Sequence, residues 1–355
     1  MKKLAIVGTV GLPANYGGFE TLTEYLVKEL SAYFEITVYC SKKRYNTTLP
    51  SYNGAKLFYI NLDANGISSI PYDIMSLAHA KKYADVILLL GVSGSLFLPF
   101  INKKKTLVVT NIDGLEWRRD KWSKLQRRLL HFLERVAVKF SSHIVADNQA
   151  IVDYVKFQYG KEAKLIEYGG DHVFAPKLSQ SDLEEFPFLK EAYSFMVARI
   201  EPENNIALIL EAFRQIKKPL VLVGNWQNSQ FSKELKSQYS AYENIHLIGP
   251  IYDQNILNKL RAHCTFYIHG HSAGGTNPSL VEAMNLGLDI MAYDCDFNRF
   301  TTQESALYFS TASQLASLVN DTKPSKKRKT ALQEIAKNRY TWKIISKKYK
   351  EILQK

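Results

Sequence analysis

Short runs of aliphatic and β-branched residues recur along the chain, each closed by glycine, proline or small polar residues and followed by a stretch of helical periodicity. In the first half these runs predict strands over residues 3–8, 35–40, 56–60, 86–90, 106–110, 143–146 and 164–166. Helices are predicted between them over residues 18–32, 72–83, 121–141 and 149–159. A second series of strands is predicted over residues 193–197, 220–223, 245–247, 266–268, 289–293 and 306–309. Strands that are apolar on both faces and alternate with helices form parallel sheets covered on both sides, so the fold class is α/β with two doubly wound halves. Residues 174–191 contain Pro176, Pro187 and several acids without strong periodicity, and are read as the interdomain linker.

A length of 355 residues supports two domains. With 46% hydrophobic and 23% charged residues, intrinsic disorder is excluded as the main state. Cys40, Cys264 and Cys295 are too scattered for a disulfide framework or a zinc site, which fits a reducing cytoplasm. The opening MKKLAIVG has an apolar run too short for a secretion signal and is read as a buried strand. No apolar stretch approaches the ~20 residues that cross a bilayer. The net charge of +12 is uneven: residues 1–170 carry +8, residues 171–322 carry −6 and residues 323–355 carry +10. An anionic partner would therefore meet the two ends of the chain.

In such sheets ligands bind beyond the carboxyl ends of the strands, and the distinctive segments cluster there. The first strand runs into GTVGLPANYGGFET, in which Gly17 and Gly18 precede a helix. Backbone N–H groups at such a place can approach a phosphate; the alternative is a tight structural loop. The spacing is not G-x-G-x-x-G and no Tyr-x3-Lys pair stands in context, which disfavours a dinucleotide enzyme. A later strand ends in TNIDGLEWRR, where Asn111, Glu116 and Trp117 could bind sugar hydroxyls and Asp113 could act as a base; Asp-Gly is equally a turn leading into a helix. That helix carries Arg118, Arg119, Trp122, Lys124, Arg127 and Arg128 interleaved with leucines, the pattern of a membrane-surface element or of a solvated face over a core stripe. In VARIEPENN, Arg199 suits a diphosphate, its alternative being an interdomain ion pair. In HGHSAGGTNPSLVEAM, a glycine and hydroxyl loop opens a helix in which Glu282 could accept from a ribose hydroxyl. His269 and His271 lack a third ligand at metal spacing, so no metal is expected.

Together these segments, with EYGGDH, resemble the retaining glycosyltransferases of the GT-B fold, two Rossmann-like domains facing a central cleft, and within them the bacterial rhamnosyltransferases of cell-surface polysaccharide synthesis. The resemblance implies an N-terminal acceptor-side domain over residues 1–172, a nucleotide-sugar domain over 173–337, and a last helix over 338–355 returning to the N-terminal domain. It implies transfer of L-rhamnose from dTDP-rhamnose to an undecaprenyl-diphosphate-linked saccharide, with no cofactor or metal. The enzyme would sit on the anionic inner face of the plasma membrane, with no nucleic-acid partner. Arg199 then matches the arginine facing the leaving diphosphate, Glu282 the second glutamate of E-x7-E, and Gly17 and Gly18 the loop over the diphosphate. Asn204, His271, Gly274, Gly275, Thr276, Asn277 and Ser279 complete the donor site, and Asp113 and Asp171 are the carboxylates to test as catalytic with Arg199. Gly274 stands where the family has its first glutamate and Asn204 where it has a lysine, departures that favour a 6-deoxy sugar. A transferase using another UDP- or dTDP-hexose, and a noncatalytic nucleotide-sugar or glycolipid binder, are the alternatives.

Overall fold

In the computed structural model, which describes residues 1–14, 17–119 and 122–355, the apolar runs form strands of two sheets. The first contains β1 (Lys2–Val7), β2 (Phe34–Ser41), β3 (Ser51–Tyr52), β4 (Ala55–Ile60), β5 (Val86–Leu90), β6 (Leu107–Asn111), β7 (His143–Ala146) and β8 (Ala163–Leu165), in the order β3-β4-β2-β1-β5-β6-β7-β8. Every pairing is parallel except β3 with β4, a short antiparallel edge that the sequence pattern did not predict. The second contains β9 (Ser194–Val197), β10 (Leu220–Val223), β11 (Ile245–Ile248), β12 (Phe266–His269), β13 (Ile290–Tyr293) and β14 (Leu307–Phe309), in the order β11-β10-β9-β12-β13-β14, all parallel.

Register explains the composition. Leu4 of β1 lies between Ile36 and Val86, and Leu4 to Val7 are all fully buried, because helices cover both faces of the sheet. Ala5, Val7, Ile87 and Leu89 on one face pack against Tyr39, Tyr72, Leu77 and Leu98. In the second sheet, Met196, Leu222, Ile268 and Met291 pack against Phe213, Trp226 and Tyr239. Both expected doubly wound halves are present.

The chain divides into one unit of Met1–Arg118, Trp122–Tyr168 and Trp342–Lys355 and a second of Arg119–Lys121 and Gly169–Thr341. The divisions fall at 168/169 and 341/342 rather than at 172/173 and 337/338, so Asp171 belongs to the second unit. The stretch expected to be a linker also belongs there. Within it, Ser179 and Asp182 form a capping box that starts the Gln180–Glu185 helix, and Asp182 pairs with Lys259 at 2.6 Å.

The C-terminal helix Trp342–Leu353 packs in the first unit. Trp342 stacks on Tyr25 with centroids 4.4 Å apart and planes within 5°. The Tyr349 hydroxyl accepts from Asn111 Nδ2 at 2.8 Å, and Lys348 donates to Glu167 at 2.5 Å.

Candidate functional site

Two loops at the carboxyl ends of β9 and β12 meet in the second unit. After β9, Asn204 Nδ2 donates to the Arg199 carbonyl at 2.8 Å, and Asn205, in the left-handed region at φ 52°, donates from Nδ2 to the Gly270 carbonyl at 2.8 Å. Ser272 returns the link, donating from its N–H and hydroxyl to the Glu203 carbonyl at 3.0 and 2.9 Å. Gly270 is required at this crossing, since a Cβ there would meet the Asn204 carbonyl oxygen at 2.3 Å. Asn204, expected to touch the donor, is buried and spends its amide on the loop; its short side chain holds Arg199's own backbone where a lysine would reach outward.

The Arg199 side chain is 46% exposed, with Nε 3.9 Å from Glu201 Oε2. His271 feels its charge and stacks on His269, centroids 4.4 Å apart. Burial first, with His269, Arg199 and Arg119 adding, pushes His271 well below the usual imidazole range, and burial alone takes His269 to about 3. Both rings are neutral at physiological pH, so the cation carried by the two loops themselves is Arg199, with Arg119 also acting electrostatically on His271 and Glu203.

Further along the β12 loop, Gly274 has φ +109° with open space around the position of a Cβ. That conformation is one L side chains rarely adopt, which gives a backbone reason for glycine where E-x7-E has glutamate. Asn277 caps the Pro278–Asn285 helix, its Oδ1 accepting from the Ser279 N–H at 3.1 Å and the Ser279 hydroxyl at 2.9 Å. The expected donor contacts Asn277 and Ser279 thus share a cap, beside half-buried Gly275 and buried Thr276.

Glu282, in the second turn of that helix, is engaged on both oxygens. Arg261 Nη1 donates to Oε2 in a close ion pair, and His172 Nε2 lies 3.2 Å from Oε1. Burial by itself would raise this carboxyl; the charge of Arg261, then the hydrogen bond and charge of His172, outweigh it and hold it at about 2. The stabilisation is complete above the ordinary value of 4.5 and is lost only as pH falls toward about 2. Gly170 brings the Asp171–His172 turn here: its N–H donates to the Tyr340 carbonyl at 2.8 Å, and a Cβ on it would meet the Val281 backbone at 2.7 Å. Exposed Asp171 is thereby placed one residue from a Glu282 partner. Neither Arg261 nor His172 was singled out from the sequence, where nothing links them to Glu282.

In the first unit, Gly17 has φ +136°, and a Cβ on it would meet Glu20 Oε2 at 1.9 Å. The space is needed because Glu20 turns back from the helix Gly18–Leu30 to accept from Val10 N–H at 2.8 Å and Thr9 Oγ1 at 3.2 Å. Asn15 and Tyr16 of the same motif, like Asp120 and Lys121 farther on, lie outside the described residues.

The segment after β6 departs from expectation. Asn111, read as an acceptor contact, is 1% exposed, donates to Tyr349 and accepts from the Asp113 N–H at 3.0 Å, so it shapes the loop instead. Asp113 and Leu115 both take left-handed backbone, φ 60° and 55°, a local strain of the kind that clusters at ligand sites. The Trp117 indole N–H donates to buried Glu134 at 3.1 Å, and Glu134 also accepts from Tyr154 and Tyr159 at 2.7 and 2.6 Å. Glu116 accepts from Trp122 Nε1 at 3.1 Å.

Of the residues expected to face a membrane, Arg118 lies over the Trp117 and Tyr154 rings, half-buried Arg127 donates to the Trp122 carbonyl at 3.0 Å, and Arg119 groups with the second unit. Lys124 and Arg128 face outward. The helix Lys124–Phe140 buries Leu133, Glu134, Ala137 and Val138. Its outer face carries Leu125, 77% exposed, with Leu129 and Phe132, flanked by exposed Lys124, Arg128, Arg135 and Lys139. The Ser95–Phe100 segment packs beside this helix, Ser95 Oγ donating to the Leu133 carbonyl at 2.8 Å, and exposes Leu96 and Phe100. Among the described residues no helix is long and apolar enough to cross a membrane.

Residues 1–171 match a domain of unknown function, DUF1972, and residues 180–339 match the family glycosyl transferases group 1. Searching curated proteins gave no match. Among solved structures, sucrose-phosphate synthase from Thermosynechococcus elongatus is similar with a TM-score of 0.82 at 14% identity, covering 100% of this chain and 98% of that one. HepE from Anabaena, in complex with UDP-glucose, gives 0.74 at 16% identity over 100% of both chains. The catalytic domain of starch synthase IV from Arabidopsis thaliana, bound to ADP and acarbose, gives 0.69 at 12% identity over 99% of each. The two Rossmann-like α/β units share the fold of these GT-B neighbours.

Proposed function

We propose that this chain, whose residues 180–339 form a glycosyl transferases group 1 domain, transfers L-rhamnose from dTDP-rhamnose to a hydroxyl of a saccharide carried on undecaprenyl diphosphate. The reading rests chiefly on one observation: within the second unit, stapled loops present an exposed guanidinium at Arg199, and the next helix presents an ionised carboxylate at Glu282. A guanidinium suits a diphosphate and a fixed carboxylate suits sugar hydroxyls, the two polar parts of a nucleoside diphosphate sugar. The ADP and UDP-glucose complexes of starch synthase IV and HepE support the same ligand class.

In the proposed reaction the bond from C1 of the sugar to the diphosphate oxygen breaks, and a bond from C1 to the acceptor oxygen forms with retention and without a metal. The acceptor proton passes to the departing phosphate oxygen or to a carboxylate, for which Asp113 and Asp171 are the candidates. Arg199 lowers the barrier by stabilising charge as it develops on the leaving group. The glycine at 274 supports a less polar sugar pocket and hence a 6-deoxy sugar. A second reading, a UDP-hexose donor, is favoured by the UDP-glucose complex of HepE.

Incubation with dTDP-rhamnose or UDP-glucose and lipid-linked mono- and disaccharides, read by product mass and linkage, separates these readings. The expected product carries one added deoxyhexose; a hexose product supports the second reading, and nucleotide binding without any transfer overturns both.

The outer face of the Lys124–Phe140 helix supports a place on the anionic inner surface of the plasma membrane, apolar side chains entering between lipid headgroups while the flanking cations meet their charge. At about 1 kcal/mol per basic residue near such a surface, Arg128→Glu with Arg135→Glu is expected to weaken partitioning onto phosphatidylglycerol vesicles at least tenfold. Sedimentation with the vesicles measures it, and equal partitioning onto neutral vesicles counts against the proposal.

A further inference from the structure

Glu282 is held by a buried ion pair from a neighbouring helix and by a histidine on its other oxygen. Arg261 ends the Gln254–Ala262 helix with its side chain 2% exposed, while Glu282 is 13% and His172 14% exposed. A carboxylate has about four acceptor positions, two on each oxygen. Arg261 takes one on Oε2 and His172 one on Oε1, which leaves one on each.

We propose that Arg261 is a positioning residue for the nucleotide: it fixes Glu282 through Oε2, with His172 steadying the other oxygen, so that the remaining acceptor positions receive the free pentose hydroxyls, one from the deoxyribose of a dTDP donor and two from the ribose of a UDP donor. This rests on the reading of Glu282 as the pentose contact. Protonation turns one carboxyl oxygen into a donor and weakens acceptance at the other, so full acceptance on both oxygens needs the ionised form, and a carboxylate buried this far needs a cation to remain ionised. Arg261 is that cation, reaching Oε2 through Nη1.

The other titratable groups around the pair do not supply its charge. Burial pushes the Tyr267 phenol of β12 and the Cys264 thiol each up to about 12, so both stay neutral in the working range. The helix Lys326–Arg339 is tied to the end of the Glu282 helix by Gln333, which donates to the Asn285 carbonyl at 3.1 Å. From it Lys329 lies toward Cys264, and Arg328 pairs with Asp289 at 2.8 Å.

The test is the affinity for dTDP and for UDP, measured by calorimetry across a range of pH and read as the ratio of variant to wild type, which cancels titration of the diphosphate itself. Arg261→Met is expected to bind near wild type at the alkaline end and to lose up to about tenfold per pH unit below the carboxyl's raised value. Arg261→Lys, which keeps the charge, is expected to show a flat ratio. UDP, with two free pentose hydroxyls, is expected to lose more than dTDP, with one. Glu282→Gln keeps apart the two ways of failing: if it leaves nucleotide affinity unchanged, the pentose reading falls. If it weakens binding while Arg261→Met shows a pH-independent ratio, the role of Arg261 falls and the pentose reading stands. Should Arg261→Met not fold, carboxyl-carbon NMR of Glu282 in the wild type decides. The carboxylate is expected to stay ionised to below about pH 3, and titration in the ordinary carboxylate range overturns the inference.

Discussion

Replacing Arg199 with methionine is expected to lower kcat for sugar transfer by about two to three orders of magnitude, the range seen when one preorganised charge-stabilising donor is removed. Its guanidinium is 46% exposed, and the carboxylate near it is at 3.9 Å, too far for a close hydrogen-bonded pair. The group is therefore held for something other than Glu201. Asn204 grips the Arg199 carbonyl and Ser272 grips the Glu203 carbonyl, so the loop stays in place when the side chain is shortened. A loss confined to kcat means that the arginine acts on charge present only in the transition state, whereas a loss in KM alone means uniform binding. Should Arg199→Met keep its turnover and lose thermal stability instead, the residue is an ion-pair partner and the proposed reaction loses its main cation.

Ending the chain at Thr341 is expected to unfold the first unit. The helix Trp342–Leu353 buries Trp342, Ile345, Tyr349, Ile352 and Leu353. At about 1.5–3 kcal/mol for each large apolar side chain, these five contribute on the order of 10 kcal/mol, comparable to the whole stability of an ordinary domain. Removal also strips Tyr25 of its stacking partner and leaves buried Asn111 Nδ2 and Glu167 without Tyr349 and Lys348. Limited proteolysis of the shortened chain should digest the first unit and spare residues 169–341. A digestion pattern like that of the full chain would contradict this account.

Much of the architecture is legible because parallel strands buried on both faces leave nearly unbroken apolar runs. The runs predicted at 86–90 and 220–223 coincide with β5 and β10. The pairing of Ser51 and Tyr52 with Ala55 and Lys56 is too short to leave a pattern. The helix Lys124–Phe140 shows a different limit. Its leucines suggest a core stripe, yet Leu125 and Leu129 face outward while charged Glu134 faces in, because Trp117, Tyr154 and Tyr159 converge on that carboxylate from other turns of the chain. Periodicity marks that a helix is amphipathic without saying which apolar side is covered. The 174–191 stretch carried a readable signal in Ser179 and Asp182, a capping box at helix spacing, outweighed there by its prolines and acids. In the candidate site, Arg199 and Glu282 could be found from local motifs. Arg261, 21 residues before Glu282, could not, since only the fold brings a residue of one helix beneath another.

The return of residues 342–355 to the first unit sets an order of events during synthesis. Domains generally fold as they emerge, the amino-terminal one first. Here the strands of the first sheet leave the ribosome early but wait for a helix encoded after the entire second unit, which can close meanwhile. A nascent chain halted between those points presents the uncovered surface around Tyr25 and Tyr168 to chaperones, so the Trp342–Leu353 helix must emerge before that half is protected from aggregation.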